Sequence, residues 1–102
     1  MALRKRIFED KIEVVGDYKT IQVRTATVVE EGTASSGYTE LSRSFHRHAL
    51  ECVNSVKNDD DTWTHTDTDV SGESDEVQGI ANSVWTDTIK AAKRTANEES
   101  SI

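Results

Sequence analysis

Apolar and β-branched positions alternate with polar ones through the first half of the chain, and the period lengthens in the last third. Lys11–Val15 is a short β-prone run with Ile12 and Val14 on one face. Gly16-Asp17 follows as a turn signal. Tyr18–Glu31 is the clearest strand, because Ile21, Val23, Thr25, Thr27 and Val29 share a face at period two and are all β-branched. Ala26 and Val28 lie on the opposite face. Either both faces are partly covered there or a bulge shifts the register. Gly32–Gly37 reads as a loop, and Tyr38–Glu51 as the return strand of a long-looped hairpin. On that return strand Leu41, Phe45 and Ala49 share a face with Arg43 and Arg47. A face so mixed is an edge or meets another subunit.

Val53 and Val56 extend the β-prone pattern through Cys52–Lys57. Asn58–Val70 is polar, with Trp63 and His65 alternating with Thr62, Thr64, Thr66 and Thr68, which admits a short strand. Ser71–Glu99 carries the best helix signal. Ser71 or Ser74 can cap it, Glu73, Asp75 and Glu76 place negative charge in the first turn, and Lys90, Lys93 and Arg94 lie towards the end. Its apolar stripe runs from Val77 through Ile80, Ala81, Val84, Trp85 and Ile89 to Ala92. That stripe covers the hairpin or makes a subunit contact.

These elements predict an α+β fold: a small antiparallel β-sheet, built from a long hairpin plus a short strand, packed by one C-terminal amphipathic helix. Residues 1–10 read as a basic N-terminal arm and 11–57 as the hairpin region. Residues 58–70 read as an acidic polar loop or insertion, 71–99 as the helix and 100–102 as a tail.

Composition narrows the functional classes. The chain has 102 residues, a formal net charge of -7 and one cysteine. Its apolar share is 34%, which predicts a thin core supplemented by burial between copies. No run approaches the roughly 20 apolar residues of a membrane helix. The basic start Met1–Arg6 is followed by Ile7-Phe8-Glu9-Asp10, so no secretory signal is expected. One cysteine makes no internal disulfide. An acidic total disfavours a general nucleic-acid binder. The charge is uneven. Residues 1–50 hold eight basic and seven acidic groups, whereas residues 51–102 hold four and twelve, with eight acids between Asn58 and Glu76. Such a run is a solvated loop, a cation site or a docking surface for a basic partner.

Two segments suggest metal chemistry. His46 and His48 are two residues apart and share a face on a strand, as a pair of imidazole ligands would. They are ordinary surface histidines, ligands at an oligomer axis, or half of a zinc set completed by Cys52 and His65. Asp67-Thr68-Asp69-Val70-Ser71-Gly72 matches the first half of a calcium loop, with Asp67, Asp69 and Ser71 as oxygen donors. Ser74 and Gln78 depart from the rest of that pattern, so the alternative is a helix start preceded by soluble acids. No recognised active-site spacing is met, and a Cys52/His48 pair has no catalytic geometry of its own, so no catalysis is predicted. No cofactor is expected beyond a metal ion at one of these two segments.

Three stretches carry a resemblance: Asp10–Gly16, Ile21–Val29 and Ser42–His48, continued by Ser71–Ser74, Glu76–Gln78 and Val84–Thr86. Together they resemble a small, functionally unassigned family of structural-module proteins in marine and aquatic tailed bacteriophages, including cyanophages. Cys52–Val70 departs from that family as an insertion. The resemblance implies a non-enzymatic virion structural protein, tail- or fibre-associated, acting through self-assembly and docking to other virion proteins. It would be made in the host cytoplasm and reside in the virion. The expected partners are copies of itself in a homo-oligomer and other virion proteins, with no nucleic acid and no membrane. Capsid decoration, a head–tail neck role, and an acidic nucleic-acid mimic that inhibits a host protein are the alternatives. Val77, Ile80, Val84, Trp85, Arg43 and Arg47 are the expected interface residues.

Overall fold

The structure, a computed structural model, describes residues 2–99. The fold is α+β, with five strands followed by two helices. Strands β1 (Leu3–Val15), β2 (Thr20–Thr33) and β3 (Gly37–Leu50) form one antiparallel sheet in the order β1-β2-β3. Strands β4 (Val53–Lys57) and β5 (Trp63–Asp67) form a second, antiparallel pair. Helices α1 (Asp75–Val84) and α2 (Asp87–Glu99) complete the chain. The chain divides into two compact units, residues 2–13 with 22–48 and residues 14–21 with 49–99.

The first unit is the long part of the three-stranded sheet. The basic arm expected over residues 1–10 is instead most of β1: Arg4 and Arg6 both reach Glu30 on β2, at 3.0 and 2.7 Å, and Gly32 N–H bonds the Ala2 carbonyl at 3.0 Å. The arginines are there to cover a strand. On the part of β2 in this unit the buried positions are Val23, Ala26, Val28 and Glu30. They change parity after Val23, from odd to even positions, as either of the two alternatives the sequence left open would produce. Thr25, Thr27 and Val29 are only half-buried. The connection to β3 is Ala34–Ser36, three residues and not six. The Thr33 hydroxyl organises it, accepting the Ser36 N–H at 3.2 Å.

The second unit holds the deeper core: Ile21, Cys52, Val53, Val77, Ala81 and Trp85. The β4–β5 register places Val53 opposite Asp67, Ser55 opposite His65 and Lys57 opposite Trp63. The acidic loop or insertion expected over residues 58–70 therefore contains a strand. α1 starts where Ser74 accepts the Val77 N–H at 3.3 Å, with Asp75 and Glu76 in its first turn. The single helix expected over 71–99 is two, because Thr86 caps a second start: its hydroxyl accepts the Ile89 N–H at 3.2 Å. Trp85, at φ -88 and ψ 70, is the corner. Val77, Ala81 and Trp85 follow one another at intervals of four residues and form the buried edge of α1, whereas α2 buries no residue fully and Ala92 is exposed. Lys90, Lys93 and Arg94 do not serve the helix end. They reach sideways, Lys90 and Arg94 to Asp67 at 3.2 and 3.5 Å and Lys93 to Glu51 at 3.3 Å.

Candidate assembly surface

Neither outer strand of the three-stranded sheet has a further strand beside it among the described residues. β3 is exposed at every position from Gly37 to Arg47. Fourteen residues at about 3.3 Å each make an edge roughly 45 Å long. Natural sheets blunt such edges with lysine, proline or a covering element. β3 contains no Lys or Pro. Seven large apolar residues are exposed in the described structure, and six of them lie on the two outer strands: Leu3, Ile7 and Val14 on β1, and Tyr38, Leu41 and Phe45 on β3. Apolar exposure concentrated on the two outer strands, with Val56 on β4 the exception, marks a surface built to be covered.

A layer of arginines, carboxylates and rings stiffens this sheet. Arg24 grips Asp10 with two bonds, Nε to Oδ1 at 2.9 Å and Nη2 to Oδ2 at 2.7 Å, and its guanidinium lies 4.3 Å from the Phe45 ring centroid. Arg4, paired with Glu30, lies 3.4 Å from the Tyr38 ring centroid. Arg43 holds Glu40 at 2.6 Å.

The electrostatics follow from these pairs. The Arg24 bonds hold the Asp10 carboxyl below its ordinary range, and Asp10 raises Arg24 in return. Burial works to raise Glu30, but its bonds to Arg6 and Arg4 prevail and lower it. Arg43 lowers Glu40. A carboxylate lowered in the folded state contributes stability above its ordinary value, and that stability is lost as pH falls through the lowered one. The Arg6 and Arg24 Nε–H resonances should therefore keep their paired chemical shifts at pH 6 and move towards free-arginine positions below about pH 4. Two-dimensional NMR of the arginine side chains checks this; resonances unchanged at pH 2.5 would show that the pairs hold nothing in place.

The candidate metal ligands are not gathered into a site. The His46 and His48 ring centroids are 6.5 Å apart, on exposed and half-buried positions of β3. Among the described residues, no three His, Cys, Asp or Glu side chains are grouped to hold a metal ion. Cys52 is fully buried, and burial raises its thiol. In the calcium-like loop Asp67 faces Lys90 and Arg94, while Asp69 accepts the Ser71 N–H at 2.9 Å. Of the expected interface residues, Val77 and Trp85 belong to the core and so serve the fold. Arg47 borders a cavity of about 290 Å³ with Lys11, Glu13 and Arg24. Ile80 and Val84 border a groove on α1 with Gly79. Arg43 lies on the β3 edge. The residues missed from sequence are Glu30 and its two arginines, whose signal was the even spacing of Arg4, Arg6 and Phe8 along one strand face.

No family model, curated protein or solved structure matches the chain.

Proposed function

We propose that this chain is a structural component of a tailed-phage virion, tail- or fibre-associated, whose work there is assembly. The observation that carries the assembly reading is the pair of outer strands, each with no strand beside its outer edge among the described residues and together bearing six of the seven exposed large apolar residues. Strand addition supplies backbone hydrogen bonds along the edge and covers those side chains in one step. The virion context rests on the resemblance in Asp10–Gly16, Ile21–Val29 and Ser42–His48. The occupant is a second copy of the chain, with other virion proteins docking on the remaining surface. Mimicry of nucleic acid is less well supported, because Asp60, Asp61, Asp67 and Asp69 are each engaged by a local partner.

Light scattering coupled to size-exclusion chromatography tests the assembly. The chain should elute as an oligomer at tens of micromolar. Leu41→Lys combined with Ser44→Lys, two exposed β3 positions, should convert it to a monomer while moving its stability by less than about 0.5 kcal/mol. A wild-type chain that is strictly monomeric and fails to bind virion proteins would sink the assembly reading. Mass spectrometry of purified particles tests the context separately, since a virion component is present there in many copies.

A further inference from the structure

The second unit brings together three side chains that the sequence keeps far apart. Ser55 on β4 and His65 on β5 are cross-strand partners, and the Ser55 Oγ is 2.7 Å from His65 Nδ1. On the other side of the ring, His65 Nε2 is 3.6 Å from Glu98 Oε2 on α2. Asn97 donates its side-chain N–H to the Ser55 Oγ at 2.9 Å. These contacts give the chain of groups a direction. A donor aimed at Oγ occupies an oxygen lone pair and leaves the hydroxyl hydrogen for His65. With the ring proton on Nε2, the side of the Glu98 carboxylate, the Nδ1 lone pair faces the serine. Trp63 stacks on the imidazole, with centroids 6.2 Å apart and planes 5° from parallel, and fixes its plane.

Ser55 opens onto space, with His65 and Glu98 behind it and off the lining. Ser55, Trp63, Asn97 and Lys93 border one cavity of about 330 Å³, within the roughly 300–1,000 Å³ of small-molecule sites. Lys93, 3.3 Å from Glu51, places a cation beside an oxygen that gains negative charge there.

We propose that Ser55 and His65 are a nucleophile and its base, that Glu98 is a positioning residue, and that the cavity takes a small activated carboxylic ester. His65 Nδ1 accepts the hydroxyl proton as Ser55 Oγ bonds the carbonyl carbon. The bond from that carbon to the alcohol oxygen breaks, and the departing alcohol takes the proton from His65. Water, deprotonated by the same nitrogen, then attacks the acyl-serine, releases the acid and restores Ser55. Ester and water are consumed, and acid and alcohol are produced. A cross-strand pair of purely structural role would show the same distances but no reactivity.

The full-length protein is incubated with a fluorophosphonate probe and, separately, with p-nitrophenyl acetate. One adduct per chain is expected, mapped by peptide mass spectrometry to the Ser55 peptide of the wild type. Ser55→Ala should abolish it. His65→Gln should slow both labelling and ester turnover at least 100-fold with the melting curve retained. Glu98→Gln should lower kcat about tenfold at unchanged KM, with Glu98→Asp restoring part of it. Wild-type protein with no adduct on Ser55, or labelling equal in folded His65→Gln, overturns the proposal.

Discussion

Trp85→Ala should unfold the second unit at a much lower temperature than the wild type, with a loss of about 3–5 kcal/mol. The indole is 7% exposed and closes the core formed by Ile21, Val53, Val77 and Ala81. Truncation removes the transfer free energy of the largest buried side chain and leaves a cavity that a corner between two helices fills poorly. A second loss accompanies it. The Trp85 Nε1–H donates to the Lys19 carbonyl at 2.7 Å, and Lys19 sits at φ 55, a left-handed conformation that costs a lysine about 1–2 kcal/mol. Without the indole that turn loses its anchor. Total stability for a domain of this size is about 5–15 kcal/mol, so the loss is a large fraction. At roughly 4–8 °C per kcal/mol, melting should fall by about 12–40 °C. Trp85→Phe keeps most of the apolar contact but not the hydrogen bond, and should fall between the two. Thermal and urea unfolding by circular dichroism measure all three. A Trp85→Ala loss below 1 kcal/mol would mean the corner is not held by this residue.

The second large effect is expected at a glycine in the first unit. Gly32 has φ 144, where a side chain is strained, and a Cβ built there meets the Gly37 carbonyl oxygen, with the Tyr38 Cα 3.0 Å away. Those are backbone atoms of the facing strand and have no rotamer into which to retreat. Gly37 provides the control: its φ of 85 is also left-handed, but an added Cβ meets nothing within 4 Å. Gly37→Ala should therefore cost the conformational term alone, about 1–2 kcal/mol. Gly32→Ala should cost that and the clash, about 3–4 kcal/mol together, and should part β3 from β2 at the turn. Urea unfolding gives the free energies, and loss of β3 cross-peaks in an NMR spectrum gives the location. Equal losses at the two glycines would contradict the close approach.

The sequence carried the strand pattern well where β-branched residues dominate. β2 and the turn at Gly16 were legible because Ile21, Val23 and their neighbours prefer a pleated surface whatever surrounds them. β1 was not, because Arg4, Lys5 and Arg6 read as a charge run until their partner Glu30, on another strand, is known. The helix break escaped notice for a related reason. The apolar stripe runs unbroken through Trp85, and only Thr86 followed by Asp87 signals a second cap. The α+β class survives both gaps, since it depends on periodicity and not on boundaries. The candidate site was less visible. His46 and His48 drew attention by spacing, yet the structure gathers no third ligand of that kind beside them among the described residues. Ser55, His65 and Glu98 have no local pattern at all. The β4–β5 register and the packing of α2 bring them together, and neither is written in any short window of sequence.

The bare β3 edge has a consequence for how the chain exchanges its hydrogens with solvent. Along an outer strand only every second amide points inward to its neighbour, and the others face water. In an isolated copy, those outward amides between Gly37 and Arg47 should lose their protons to deuterium within seconds, while the β2 amides beneath remain protected. A copy joined along this edge would bury that outward row, and alternate positions on one strand would slow together. The pattern of slowed positions then reports the partner's alignment residue by residue, including in particles too large for any other solution measurement of a single strand.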